Sequence, residues 1–476
     1  MRIALIWPNG FNTKMVIPLS LGFLKSNINN RKHKVKIIDC SLHNISIDSP
    51  EFQQIIEDFD PQLIGVSSWH NTYEEAMRII EKVKFIKNNV ITVMGGISAT
   101  VNALTIIQNK NVDFVFRGEA ELTFSKFVDE LQKKQKQADF SKIDGLTYRS
   151  KKGKIINNNV TWEKDLDRIK IPDYDAIDLN GYIQDGYKYV SSNKYNAPIW
   201  VTRGCPYACG FCLASHLNAR LVRQPSVGHV VRWIKYLYYQ KHIRYINIID
   251  DNFTYNVEFA KKVCRKIIKL NLKDLKIGTP NGIRFQRSDA ELFKLMKQAG
   301  WEFVVVAPES GSVKTLEKMG KHLDLADLPG KVKEIKEAGL KCIGFFIVGY
   351  PGETRKDIEE TVQLIRRTLF DYFFLFSFQP LPGTPIFNEL VDKKEIPADF
   401  IPKSYTGGQI SYVPKALKDF NFPLLRLREY MLLVIRNPTS LQFFISHFNP
   451  IHIVAVVFSN FVNTLRLNHL FRKTCI

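Results

Sequence analysis

Short apolar runs alternate with amphipathic stretches along most of this 476-residue chain, and no other feature restricts its fold so tightly. "RIALIWP" (2–8), "KVKIIDC" (34–40), "LIGVSS" (63–68), "VITVMGG" (90–96) and "VDFVFRG" (112–118) read as short buried strands. Between them, "SLGFLKSNI" (20–28), "TYEEAMRIIEKVKFIK" (72–87) and "AELTFSKFVDELQKK" (120–134) carry helical spacing. Asn71 or Thr72 is placed to cap the second of these, with Glu74 and Glu75 in its positive first turn. Strands separated by helices of this length run parallel, so residues 1–140 are expected to form a doubly wound, Rossmann-like α/β sheet. Ligands bind such sheets beyond the carboxyl ends of the strands, where "MGG" (94–96) and "RGEAE" (117–121) fall.

The texture changes at 141–195. "IDGLTYRSKKGKIINNN" (143–159) reads as a hairpin with a Lys-Lys-Gly turn, and the polar "DLDRIKIPDYDAIDL" (165–179) follows it. This stretch is expected to be a linker wrapping between two domains. Alternation resumes over 196–392 with "PIWVTRG" (198–204), "YINIIDD" (245–251), "KIGTPN" (276–281), "FVVVAPE" (303–309), "CIGFFIVGY" (342–350) and "YFFLFSFQPLP" (372–382). Helices separate them, one being "SDAELFKLMKQAG" (288–300) with Ser288 as cap and Gly300 as stop. Six such units predict a partial (β/α)6, TIM-like barrel with its site at the carboxyl mouth. Residues 393–476 read as a helical C-terminal cap. Within it, 437–465 hold no Asp, Glu, Lys or Arg, but Pro438 and Pro450 interrupt the run and argue against a spanning helix. A substrate-covering cap and an interfacial contact both stay open.

The opening "MRIALIWPNG" is strand-like and lacks a cleavage site, and seven cysteines are an odd number for a secreted disulfide framework. A reducing cytoplasm is expected instead. The formal net charge of +20 invites nucleic acid. The lysines are scattered through a Lys-, Asn- and Ile-rich chain, however, so nucleic acid is not expected to be the main substrate.

"RGCPYACGFC" (203–212) concentrates Cys205, Cys209 and Cys212 in one loop. Structural zinc takes four ligands, commonly in two separated pairs, and only His216 stands near as a fourth. A disulfide leaves one thiol over. An iron–sulfur cluster suits the triplet, because three thiolates on four irons leave one iron open.

The spacing Cys205-x3-Cys209-x2-Cys212, with Phe211 before the last cysteine, resembles the signature loop of the radical S-adenosylmethionine (radical SAM) enzymes. "MGGISATV" (94–101), "VDFVFRGEAELTF" (112–124), "IIDDNFT" (248–254) and "NGIRFQ" (281–286) resemble the subgroup with an N-terminal cobalamin-binding domain. So do "PESGS" (308–312), "GFFIVGYPGET" (344–354) and "QPLPGTPIF" (379–387). The resemblance implies a [4Fe-4S] cluster whose open iron chelates S-adenosylmethionine. Reductive cleavage then yields methionine and a 5′-deoxyadenosyl radical that abstracts a substrate hydrogen.

Implied S-adenosylmethionine contacts are Phe211, with Asp250 and Asp251 serving the ammonium and Arg284 a carboxylate. Glu309 and Ser310 would serve the ribose hydroxyls or the amino group, and Gly349 the close approach of adenine. One departure is visible: the family places Gly two residues before this Glu, where the chain has Ala307 and then Pro308. A backbone contact there is in doubt.

For cobalamin, "WPNGFNTK" (7–14) lacks the cobalt-ligating His of many such domains. The implied contacts are Ser67, Trp69, His70, Gly95, Gly96, Arg117, Gly118 and Glu119, with Trp69 or His70 covering the lower corrin face. The implied activity is methylation of an unactivated carbon or phosphorus in a biosynthetic intermediate. Rearrangement or cyclisation, a radical SAM enzyme with a non-functional cobalamin domain, and a cluster-binding regulatory module stay open. Implied partners are a reductant such as flavodoxin or ferredoxin and a small-molecule or lipid-like substrate. The expected location is the cytoplasm, with peripheral membrane contact through the C-terminal region left open. Cys40, Cys264, Cys342 and Cys475 read as structural.

Overall fold

The apolar runs become strands in a computed structural model that describes residues 1–10, 16–133, 138–402 and 410–447. They build two units, Met1–Asp185 and Gly186–Ile476. In the first, β1 (Arg2–Trp7), α1 (Leu19–Asn27), β2 (Lys34–Asp39), α2 (Pro50–Phe59), β3 (Leu63–Ser67), α3 (Tyr73–Ile86), β4 (Ile91–Gly95), α4 (Ile97–Ile106), β5 (Phe114–Phe116) and α5 (Glu121–Leu131) alternate as the pattern demands. The strands order β2-β1-β3-β4-β5, all parallel, so the order reverses between β1 and β3. That reversal opens a crevice beyond the carboxyl ends of those strands. Apolar layers cover both faces of the sheet: Ile6, Ile64 and Met94 pack with α2–α4 residues on one side, Leu5, Val93 and Phe116 with α1 and α5 residues on the other.

The hairpin expected at 143–159 forms, as β6 (Leu146–Arg149) and β7 (Ile155–Asn157), but it is not a linker. β6 pairs antiparallel with β5, Leu146 opposite Phe116, and extends the first sheet. The cause is aromatic packing: Phe114 meets Phe127, Phe140 and Tyr148 at ring separations of 4.8, 5.2 and 6.3 Å. The segment after it, including α6 (Leu179–Gln184), also belongs to the first unit. Tyr182 Oη donates to Asp39 Oδ2 at 2.7 Å.

The second unit holds β8 (Asn196–Ile199), α7 (Leu213–Leu217), α8 (Val227–Lys235), β9 (Tyr245–Ile248), α9 (Val257–Leu270), β10 (Lys276–Ile283) and α10 (Ala290–Gln298). Then come β11 (Trp301–Glu309), α11 (Val313–Lys318), α12 (Leu328–Glu337), β12 (Lys341–Val348), α13 (Arg355–Arg367), β13 (Tyr372–Ser377) and α14 (Pro385–Asp392). Its six strands are parallel and lie in chain order, and β13 does not return to β8. This is the predicted partial barrel. Asp289, not Ser288, caps α10, accepting from Leu292 N at 2.8 Å.

An open barrel leaves edge strands with unpaired backbone groups. Along β13 the C-terminal region supplies the cover through α15 (Phe422–Arg436) and α16 (Thr439–His447). Arg426 Nε donates to Leu375 O at 2.9 Å, its Nη2 reaches Ser377 Oγ, and Leu375 N donates to Tyr430 Oη at 3.2 Å. Next, α16 turns to the amino ends of the strands. Phe443 packs on Phe303 at 6.0 Å, Phe444 stacks on Tyr372 at 5.0 Å, and His447 lies 3.2 Å from Glu302. The expected substrate-covering cap is therefore, in its described helices, an edge strap and a floor, because its aromatic residues fit the first rungs of the barrel. Residues 448–476, Cys475 among them, lie outside the described residues.

Arg426→Leu strips Leu375 O of its charged donor. We expect a loss of about 1.5–3 kcal/mol, read as a lower urea midpoint for the second unit.

Candidate functional site

The cysteine loop grows from a strand that stops early. After Ile199 the amides of Val201 and Thr202 do not continue the ladder. They donate to the Asp250 carboxylate, both at 2.7 Å, joined by Thr202 Oγ1 at 2.8 Å. The expected strand 198–204 ends at 199 for this reason. Gly204 N donates to Asp251 Oδ2 at 3.2 Å. Gly204 has φ +88°, and a Cβ there would lie 2.0 Å from Leu221 O, so only glycine makes this turn. Farther on, Gly210 N donates to Met319 O at 2.8 Å and Ile386 N to Gly210 O at 3.2 Å. The Arg284 guanidinium lies 4.1 Å over the Tyr207 ring.

Cys205, Cys209 and Cys212 are free thiols, Cys209 buried and the others half-buried. Burial raises all three above the ordinary thiol range, Cys212 up to about 12. The charges of Asp251 and of the neighbouring cysteines add to this at Cys205 and Cys212. At Cys209 the cations Lys321 and Arg284 oppose it. Among the described residues no three His, Cys, Asp or Glu side chains converge to hold one metal ion. Three cysteines on one loop supply the thiolate ligands that an iron–sulfur cluster takes.

The structure brings the S-adenosylmethionine candidates to this mouth and changes several roles. Asp250 is 1% exposed and already accepts three hydrogen bonds, so it holds the loop and not an ammonium. Burial pushes its carboxyl up to about 8 against those bonds. Asp251 is half-buried, bonded to Gly204 through one oxygen. Ser310 is buried and faces α13, 3.1 Å from Thr361 Oγ1, and it accepts from Ser312 N at 3.1 Å, so it shapes its own turn. Arg284, stacked on Tyr207 and donating to His322 O, braces the loop. Gly349 has φ +81°, and Phe422 Cζ lies 3.2 Å from where its Cβ would be. The close neighbour there is thus the chain's own Phe422. Phe211 packs edge-on to Tyr350 at 6.4 Å. Pro308 falls where the β11–β12 register slips between Val306 and Glu309, a place that needs no ladder donor.

Sequence reasoning missed Lys321. It is 9% exposed, and its Nζ sits 2.6 Å from Glu309 Oε1. Glu309 adopts φ +68°, a left-handed conformation rare for a non-glycine. The pair lies within electrostatic reach of Cys209. Lys321 carried no signal of its own in a chain with 67 Lys and Arg. Glu353, in "GYPGE", is also buried: it accepts from Gly349 N at 2.5 Å and Tyr350 N at 3.2 Å, while its Oε1 finds no partner. Burial pushes its carboxyl up to about 8.

In the first unit, the crevice candidates line the strand ends. Ser67 ends β3 and is buried, and Trp69 packs edge-on to Trp7 at 5.6 Å. His70 is only 3% exposed, so its ring is inside the fold. Arg117 donates to Thr147 Oγ1 at 3.0 Å and to Asn158 O, which binds it to the hairpin and not to a ligand. Gly96 has φ +97°, and its missing Cβ makes room for Ser68 O, 2.6 Å away. Gly95 stays open, with nothing nearer than Phe116 Cβ at 4.0 Å. Gly118 N donates to Thr100 Oγ1 at 3.0 Å, and Glu119 is half-buried. Trp7 Nε1, Ser68 Oγ, Ser98 Oγ and Thr123 Oγ1 are buried without partners at these ends. Orphaned donors and acceptors beyond the carboxyl ends of a parallel sheet fit a polar nucleotide-bearing group such as cobalamin.

Residues 199–365 match the Radical SAM superfamily and residues 15–128 the B12 binding domain. The chain belongs to the radical SAM enzymes that carry a B12-binding domain. Among its relatives, an uncharacterized methyltransferase of Pyrococcus horikoshii is 31% identical over 77% of this chain and 77% of its own length. An anaerobic magnesium-protoporphyrin IX monomethyl ester cyclase of Rubrivivax gelatinosus is 26% identical over 76% of this chain and 64% of its own. The fold is shared with the radical SAM methyltransferase TsrM of Kitasatospora setae, solved with tryptophan and a SAM analogue. Its TM-score is 0.72 at 16% identity, over 91% of this chain and 88% of that one.

Three substitutions test the site's electrostatics. Lys321→Met leaves Glu309 buried and unpaired, at an expected cost of about 3–5 kcal/mol of stability. Adding Glu309→Gln should recover most of it in a double-mutant cycle. Glu353 keeps its proton in the native state up to about pH 8, whereas the unfolded chain releases it in the ordinary carboxylate range. Native protein then binds more protons, so stability falls as pH rises through that window. Glu353→Gln should flatten this fall between pH ~5 and ~8 in urea melts.

Proposed function

We propose that this enzyme carries out cobalamin-dependent methyl transfer to an unactivated centre of a small-molecule intermediate. One observation carries the reading. A three-thiol loop at a barrel mouth and a B12-binding sheet with orphaned polar groups occur in one chain. That chain aligns with a methyltransferase over 77% of its length at 31% identity. The cyclase relative, at 26% identity, makes ring closure the second reading.

When bound, the cluster and S-adenosylmethionine supply the adenosyl radical and cobalamin supplies the methyl carrier. Cys205, Cys209 and Cys212 hold the cluster. Asp250 and Gly204 fix the path of their loop, and Arg284 braces it through Tyr207. The half-buried Asp251 and the Lys321–Glu309 pair would hold the charged ends of S-adenosylmethionine, carboxylate to ammonium and ammonium to carboxylate. Phe211 and Tyr350 give an apolar wall that excludes water. In the first unit Ser67, Trp69, Gly95 and Glu119, with Ser68, Ser98 and Thr123, take the cobalamin. A flavodoxin or ferredoxin supplies electrons in a reducing cytoplasm, in keeping with six described cysteines that are all free thiols.

Protein purified without oxygen from cobalamin-fed cells should show cluster absorption and a cobalamin spectrum. With S-adenosylmethionine and dithionite it should form 5′-deoxyadenosine. Cys205→Ala, Cys209→Ala and Cys212→Ala should each abolish the cluster absorption and that product. S-adenosylhomocysteine appearing alongside marks methyl transfer, and its absence during substrate turnover marks ring closure. A zinc-only protein, or a full cluster without cleavage, overturns the enzyme reading.

A further inference from the structure

The strap that covers β13 turns an apolar face outward. Leu424, Leu427, Met431 and Ile435 are 54, 53, 56 and 70% exposed on α15, and Leu441 and Ile445 are 46 and 53% exposed on α16. The first four recur at helical spacing and share one side of α15. A shallow cleft of about 380 Å³ continues this surface, lined by Pro438, Leu441, Gln442, Ile445 and Ser446.

Charge decides what fits it. The only acidic residue from Asn421 to Ile476 is Glu429, and it is 2% exposed and bound to Arg366 and Arg428 at 2.7 Å each. Arg428, paired with Glu429, and Arg436 are exposed on α15, and Lys415, Lys418 and Asp419 just before it. The face thus joins apolar side chains with an excess of cations over acids, and the sequence following it stays uncharged as far as Leu465. No described helix is long and apolar enough to cross a membrane. A surface that is apolar at its centre, cationic at its border and too short to span is suited to the headgroup boundary of an anionic bilayer.

We propose that the outer face of α15 and α16 docks the enzyme peripherally on anionic phospholipid. The inference stands apart from the proposed chemistry, because docking needs no cofactor. Full-length protein should cosediment with phosphatidylcholine–phosphatidylglycerol vesicles at low salt, and much less with pure phosphatidylcholine. Leu427→Asp with Met431→Asp lies on exposed positions, so the fold should survive with an unchanged thermal midpoint. Vesicle affinity should fall at least tenfold. No binding by the parent protein, or equal binding by the double variant, overturns the proposal. So does a concentration-dependent dimer, seen in sedimentation equilibrium, that the double variant abolishes while the parent ignores vesicles.

Discussion

The contact between Asp250 and the backbone at Val201 and Thr202 governs the second unit. A parallel strand such as β8 would ordinarily run on beside its neighbour. Here a buried carboxylate at the end of β9 takes the next amides in place of a ladder partner. The chain is released from the sheet while both amides stay satisfied. Gly204 turns, and eight residues later three thiols have been delivered to the mouth. Met319 and Ile386 hold the far side of the loop from two helix-linked segments. The loop that carries the thiols therefore rests on β8, β9 and the ends of two helices.

Charge around the loop follows from the same burial. Asp250 and Glu353 are carboxyls that burial drives toward the neutral form. At Cys209 the charges of Lys321 and Arg284 oppose that of Glu309, while Asp251 acts on Cys205 and Cys212. Thiolates bound to iron carry negative charge in a low-dielectric pocket, and adjacent cations stabilise it.

Fold class was legible because parallel strands buried on both faces show themselves as continuous apolar runs, and the cysteine spacing is local. What the sequence could not display is direction. Asp250, Ser310 and Arg117 are polar residues at strand ends, as a ligand site requires, yet each points into the scaffold: at the β8 exit, at α13 and at the hairpin. Asp251, one position on, is the more accessible carboxylate. Lys321 joins Glu309 across a loop and a helix, a tertiary pairing with no sequence period. The membership of the 143–159 hairpin is likewise tertiary, decided by Phe114 and Phe140 against Tyr148.

The two sheets meet one problem in different ways. The first ends its parallel run in an antiparallel hairpin, so the ladder continues until it reaches a short strand, Ile155–Asn157, with little edge to offer. The second ends in β13 and covers it with a helix. A helix has no free ladder of its own, so side chains must answer the edge: Arg426 for Leu375 O, Tyr430 for Leu375 N. Arg426 is 5% exposed, and its hydrogen bonds go to Leu375 O and Ser377 Oγ of the strand. A hairpin continues the ladder, whereas a strap helix uses one side and presents the other. The apolar character of that other side is therefore not a by-product of covering β13. The inner side of the strap is formed by Phe422, Leu425, Arg426, Glu429, Tyr430 and Leu433, and the outer leucines lie exposed.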